Sequence, residues 1–131
     1  MEYNFLVEKS KIALKKARPT YSNFYVGAAL LAENGDIILG CNIETASYGL
    51  TICAERCAIF KAISEGYTKF KAIAIASSSD DFCPPCGACR EVIMDLCGNI
   101  DVVLSNSKNE IKIFKMNELL PFNFGSDFFK K

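Results

Sequence analysis

Between Glu2 and Ala17, apolar positions at Phe5, Leu6, Ile12, Ala13 and Ala17, with the stem of Lys9 between them, recur at helical spacing and stop before Arg18-Pro19. This predicts an amphipathic helix over 2–17. The pattern then turns β-rich over 24–31 and 36–43, either side of Glu33-Asn34-Gly35. Asn-Gly is a strong hairpin signal because both residues tolerate positive φ, so antiparallel neighbours are expected. Residues 51–65 read as a second helix, with Thr51 or a neighbour as N-cap and Gly66 as the stop. Cys53, Ala54, Cys57, Ala58, Phe60, Ala62 and Ile63 surround much of its circumference, which predicts a largely buried helix. An apolar run over 70–77 has the length of a strand, and the helix before it predicts a parallel crossover. After a polar loop, 78–85, a third helix is expected over 86–97, opened behind Pro85 and closed by Gly98-Asn99. Strands over 101–105 and 110–114 are joined by a loop too short for a crossover, hence a second hairpin. A last helical turn is expected over 116–120, before Pro121. Helix, two strands, helix, strand, helix, two strands is the order of an α/β fold, a mixed sheet covered by helices.

Composition narrows the class. The chain has 131 residues, 50% of them hydrophobic, which suits one domain spanning 1–131 with its own core. Lys plus Arg equals Asp plus Glu at 15 each, so there is no basic footprint for nucleic acid, and a small-molecule partner is expected. No apolar run approaches the roughly 18 residues of a membrane-spanning helix. Seven cysteines would suit a disulfide scaffold. The odd number, the Cys-x-x-Cys spacing and a start without signal-peptide character predict reduced thiols and a cytoplasmic location instead.

Two motifs carry the chemistry: Cys53-Ala54-Glu55 and Pro85-Cys86-Gly87-Ala88-Cys89-Arg90. Three thiolates suit a zinc ion, and a tetrahedral ion with three protein ligands keeps a fourth position for water, as catalytic sites do. Both motifs fall at expected helix starts, where backbone N–H groups and the helix dipole favour thiolate. Three thiolates leave the centre with a formal charge of minus one, so a counter-charge is expected. Arg56 and Arg90 stand where either would donate to a sulfur, although surface salt bridging is the plainer role for both. Glu55 is placed to move a water proton; in isolation a first-turn Glu merely stabilises the helix dipole. A Cys-x-x-Cys alone also fits thioredoxin-like chemistry, and Cys83 is the one nearby candidate for closing a structural four-cysteine site. Cys41, Cys57 and Cys97 read as small core residues.

With these motifs in view, the chain resembles the small, homotetrameric, zinc-dependent cytidine deaminases. The resemblance runs nearly end to end: Tyr21-Ser22-Asn23-Phe24, Val26-Gly27-Ala28-Ala29-Leu30, Gly40-Cys41-Asn42-Ile43-Glu44, Cys53-Ala54-Glu55-Arg56, the Pro85 to Arg90 motif and Glu118-Leu119-Leu120-Pro121. It implies a three-layer α-β-α fold with a five-stranded mixed sheet. It also implies one zinc per subunit on Cys53, Cys86 and Cys89, with Glu55 shuttling protons as water attacks C4 of cytosine and ammonia leaves. By the same resemblance Asn42 and Glu44 grip the ribose hydroxyls, Phe24 packs on the pyrimidine and the Ala54 backbone reads the base edge. Ala46, Tyr48 and Phe124 would be donated across a subunit interface, Phe124 stacking on a neighbour's base. Asn42 and Glu44, two apart on a strand, would face one side. The chain departs from the family pattern at Phe122, where a small residue is usual, at Glu91, where Gln is usual, and in the Phe128-Phe129 tail.

These expectations converge on hydrolytic deamination of cytidine and deoxycytidine in pyrimidine salvage, by a cytoplasmic homotetramer that binds neither nucleic acid nor membrane. The nearest rival is a deaminase of a cytosine nucleoside antibiotic of the blasticidin type, against which Phe24, Asn42 and Glu44 argue. Deamination within nucleic acid is disfavoured by the charge balance and by the absence of any histidine to serve as first ligand. A zinc-stabilised binding module without catalysis is the alternative from another class.

Overall fold

The computed structural model describes residues 2–125. Its elements run α1 (Asn4–Leu14), β1 (Val26–Ala32), β2 (Ile37–Cys41), a 3-10 turn (Tyr48–Leu50), α2 (Ala54–Ser64), β3 (Phe70–Ser77), α3 (Gly87–Cys97), β4 (Asp101–Ser105), β5 (Ile111–Lys115) and the single-turn α4 (Met116–Leu119). All of β1 is apolar and buried, as a strand covered on both faces must be. It lies inside a five-stranded sheet of order β2-β1-β3-β4-β5. β1 is antiparallel to both β2 and β3, β3 is parallel to β4, and β4 is antiparallel to β5. Both expected hairpins form. The expected crossover also forms: β2 and β3 run the same way on either side of β1, and α2 spans the gap.

Side-chain alternation sorts the core into two layers. Ala28 and Leu30 of β1, Ile73 and Ile75 of β3, and Val102 and Leu104 of β4 pack against Ala54, Ala58, Ile59 and Ala62 of α2 and Ile93 of α3. Their neighbours Ala29, Leu31, Ala72, Ala74 and Val103 face Leu6 and Val7 of α1 on the opposite side. The result is the expected three-layer α-β-α arrangement.

Two local differences from the sequence pattern have clear causes. Helix α1 is shorter than 2–17: it runs Asn4–Leu14, and beyond it the Lys16 and Ala17 N–H groups reach back only three residues, to Ala13 O and Leu14 O, so the last turn tightens and unwinds before Pro19. Its buried stripe is Leu6, Val7, Ser10 and Ala13, whereas Phe5 and Ile12 face outward. In the first hairpin only Gly35 takes positive φ, at 98°. Its N–H bonds to Ala32 O at 3.0 Å and Ala32 N–H to Asp36 O at 2.8 Å, so the loop is longer than a two-residue Asn-Gly turn.

What positions the site is the approach of α2 to β2. A Cβ at Gly40 would lie 2.5 Å from both Ala54 O and Ala58 N, so only glycine lets the helix start settle this close to the strand. Each of α2 and α3 follows a strand of the same direction. Their N-termini therefore emerge at one end of the sheet, side by side.

Candidate functional site

Cys53 and Cys86 are the N-cap residues of α2 and α3, both with extended backbone, ψ 154° and 167°. That conformation places each thiol ahead of its helix, and Cys86 Sγ accepts one of the N–H groups that no helical carbonyl takes. Helix α2 thus begins later than 51–65 predicts; Thr51 instead accepts the Thr45 N–H at 3.2 Å. One turn into α3, Cys89 is fully buried, and its N–H donates to Cys86 Sγ at 3.5 Å. The Sγ atoms of Cys53, Cys86 and Cys89 all lie within 4.8 Å of one another, and the Cys53 and Cys86 sulfurs are 4.0 Å apart. Cys89 forms the floor of this trio and exposed Cys86 the rim.

Without a cation Cys53 and Cys89 are driven in opposite directions. A hydrogen bond from Cys89 and the Arg56 guanidinium hold Cys53 down to about 5, against the cost of burial. Bonding to the Cys53 thiolate, with burial and the Glu55 carboxylate, pushes Cys89 far up. A dication removes this conflict. Zinc with sulfurs at about 2.3 Å wants them about 3.8 Å apart, close to the spacing present, so the donor set fits one zinc ion per chain. Among the described residues the trio does not include Cys83, whose thiol is pushed up to about 11 by burial first and then by Glu55.

Glu55 is 4% exposed. Burial, and then the Cys53 thiolate, raise its carboxyl to about 6, while its own backbone N–H and the Cys89 thiol donate to it. It is therefore a buried carboxyl beside the sulfurs, held above the ordinary carboxylate range. Arg56 Nη2 donates to Cys53 Sγ at 3.3 Å. Arg90 binds carbonyls instead: Nε to Pro85 O at 2.8 Å and Nη1 to Leu119 O at 2.9 Å. It fixes the residue before Cys86 and fastens the α3 start to α4.

A second set of polar groups stands at the end of β2. Asn42 is 8% exposed and bridges two backbone groups, donating from Nδ2 to Phe24 O at 2.8 Å and accepting the Val26 N–H at 2.9 Å. Glu44 Oε1 accepts the N–H groups of Tyr21 and Ser22, each at 2.9 Å, and Oε2 accepts the Ser22 hydroxyl. That hydroxyl and then those N–H groups hold the Glu44 carboxyl below its ordinary range. The Phe24 ring is 36% exposed. Tyr48 is 72% exposed, and its ring meets Tyr21 edge-on with centroids 5.7 Å apart. Ala54 is buried under the α2 start, and Ala46 is exposed. Phe124 is 57% exposed, and Phe122 is fully exposed with positive φ, 51°. Glu91 is half-buried on α3, and the Phe128-Phe129 pair lies outside the described residues. Sequence reading named Ser22 only as part of a motif; its contact with Glu44 joins positions 22 residues apart, which no local pattern displays.

A family model described as the cytidine and deoxycytidylate deaminase zinc-binding region matches residues 1–105. A cytidine deaminase of Sporosarcina psychrophila is 46% identical over 128 residues, which are 97% of this chain and 94% of that protein. The crystal structure of cytidine deaminase from Burkholderia pseudomallei is similar with a TM-score of 0.91 at 43% identity, covering 95% of this chain and 100% of that one. A blasticidin-S deaminase of Bacillus cereus is more distant, 30% identical over 128 residues, covering 90% of this chain and 91% of that protein.

Proposed function

Because the chain belongs to the cytidine and deoxycytidylate deaminase family, whose zinc-binding region it carries, we propose that it hydrolyses free cytidine and deoxycytidine to uridine and deoxyuridine, releasing ammonia. The observation that carries this reading is a buried carboxylate, Glu55, beside three converging sulfurs that suit one zinc ion. Cys53, Cys86 and Cys89 hold the metal, which supplies the Lewis acidity that makes water nucleophilic near neutral pH. Glu55 takes a proton from the water that attacks C4 and delivers it to ring nitrogen N3. It then carries the second proton to the departing amino group, so the C4–N bond breaks as the carbonyl forms. Burial, which favours the protonated carboxyl, suits a group that must hold a proton between the two transfers. Arg56 draws negative charge from the Cys53 sulfur, and Arg90 keeps Pro85 and therefore Cys86 in place.

Phe24 takes the base and the Ala54 backbone reads its edge, while Asn42 and Glu44 take the sugar. An unphosphorylated sugar suits Glu44, since a carboxylate accepts hydroxyl protons and repels phosphate. The whole chain, 1–131, acts as one domain within a homotetramer. Phe60 and Ile63 on α2, Leu96 on α3, and Tyr48, Leu50 and Phe124 are all large apolar residues exposed in the protomer, and burial against other copies is their simplest use. Ala46, Tyr48 and Phe124 then complete a neighbour's site. The setting is cytoplasmic salvage of pyrimidine nucleosides.

The test follows the loss of cytidine absorbance by zinc-loaded protein, with and without a chelator, alongside light scattering. Turnover by a tetramer, abolished by the chelator, is expected. Glu55→Gln should keep its zinc and lose roughly 10²–10⁴-fold in kcat. Turnover of blasticidin S but not cytidine would shift the substrate, and no turnover of either by zinc-replete protein would sink the reading.

A further inference from the structure

The segment 19–24 is built around Ser22. Asn23 takes the left-handed conformation, φ 58°, which Asn tolerates better than most residues, and its N–H closes the turn onto Pro19 O at 2.9 Å. The reversal leaves the Ser22 hydroxyl between two groups of the substrate site. It accepts the Phe24 N–H at 3.1 Å and donates its proton to Glu44 Oε2.

An ionised carboxylate offers about four acceptor positions. In Glu44 both positions on Oε1 are filled by the N–H groups of Tyr21 and Ser22, and one on Oε2 by the Ser22 hydroxyl. A single acceptor position on Oε2 is left for a ligand. The two backbone bonds converge on one oxygen, so they anchor that atom and leave the carboxylate plane free to turn about it. The hydroxyl holds the second oxygen, and the two oxygens together with the tethered carboxyl carbon set the plane. The same hydroxyl holds the Phe24 backbone, whose carbonyl is held in turn by Asn42. Sugar-facing and base-facing groups thus share one hydrogen-bonded frame.

Resting on the reading of Glu44 as the sugar grip, we propose that Ser22 is a positioning residue of the substrate site, which aims the open Glu44 lone pair at one sugar hydroxyl and ties that grip to Phe24. It touches neither the metal nor the reacting atoms. The lowered pKa of Glu44, caused first by this hydroxyl, agrees with an acceptor kept ionised for the purpose.

Steady-state kinetics of Ser22→Ala, Ser22→Thr and Glu44→Gln test this in the zinc-loaded enzyme. Each variant is measured for cytidine turnover and for inhibition by uridine and by 2′,3′-dideoxyuridine, which lacks the secondary hydroxyls. Ser22→Ala should raise the cytidine KM and the uridine inhibition constant roughly tenfold, the worth of a hydrogen bond to a charged group. Its kcat should stay within a factor of about two, and the dideoxyuridine constant should not move. Ser22→Thr, which keeps the hydroxyl, should restore the wild-type gap between the two inhibitors. If Ser22→Ala weakens both inhibitors equally, or neither, while Glu44→Gln closes the gap between them, the positioning role is overturned and the grip stands. If Glu44→Gln itself leaves the gap at its wild-type size, the grip fails and the role of Ser22 falls with it.

Discussion

Among single residues, Arg56 is placed directly against the sulfurs. Its Nη2 donates to Cys53 Sγ, and Nε is buried with no hydrogen-bond partner among the described residues. Such a group is kept at a cost of about 1–3 kcal/mol unless something offsets it, and the negative centre beside it is what offsets it here. Arg56→Ala should therefore lower zinc affinity or kcat about 10–100-fold, read by competition with a chromophoric chelator and by turnover. Unchanged values for both would leave the guanidinium a purely structural group. Cys53, Glu55, Cys86 and Cys89 were legible in the sequence because each motif is local and its residue types suit few other tasks. The division of labour between the arginines was not, since Arg90 turns to the Leu119 carbonyl, 29 residues away.

For the elements, the contact of α2 with β2 governs whether the sulfurs meet. Gly40→Ala would drive a methyl into Ala54 O and Ala58 N, both backbone atoms that no rotamer change can move aside. The helix must shift, at about 1–3 kcal/mol, and carry Cys53 with it. Thermal unfolding should show a lower midpoint, and the purified variant should hold less zinc than wild type. Full zinc occupancy with an unchanged midpoint would contradict this packing. Strands and helices were legible from periodicity and punctuation, and β3 matches its expected bounds of 70–77. Helix ends were less so. The start of α2 lies at Cys53, not at Thr51, since the Thr51 hydroxyl is engaged by the Thr45 N–H and Cys53 takes the extended N-cap conformation. The sheet order, with β1 between β2 and β3, depends on contacts between distant strands and carries no local signature.

Across the whole molecule, α1 is fastened to the far side of the sheet by polar contacts near its ends. Tyr3 donates to Asp101 Oδ2 at 2.6 Å, Lys115 pairs with Asp101 across the β4–β5 ladder at 2.5 Å, and Lys11 donates to Asn109. Burial and the Asp101 carboxylate together push the Tyr3 phenol up to about 12 from 10.0. A folded pKa above the unfolded one means stability that is complete below pH 10 and lost as pH climbs toward about 12. Tyr3→Phe should flatten that alkaline decline in a plot of melting temperature against pH; an identical slope would remove Tyr3 as its source. Asp101 works in the opposite sense. Burial raises its carboxyl, but the bonds from Lys115 and Tyr3 prevail and lower it. Its contribution is present above the ordinary carboxylate value and fades as pH falls through the depressed one.

The siting of the sulfurs at the starts of α2 and α3 also has a consequence in time. Cys53 leaves the ribosome well before Cys86 and Cys89, and β3, whose pairing with β1 sets the crossover, is made in between. Until that long-range pairing closes, the early thiol has no partners, and the nascent chain must stay reduced through the synthesis of most of its length. The three sulfurs can converge only once 53 and 86–89 have both been made and the strands between them are paired.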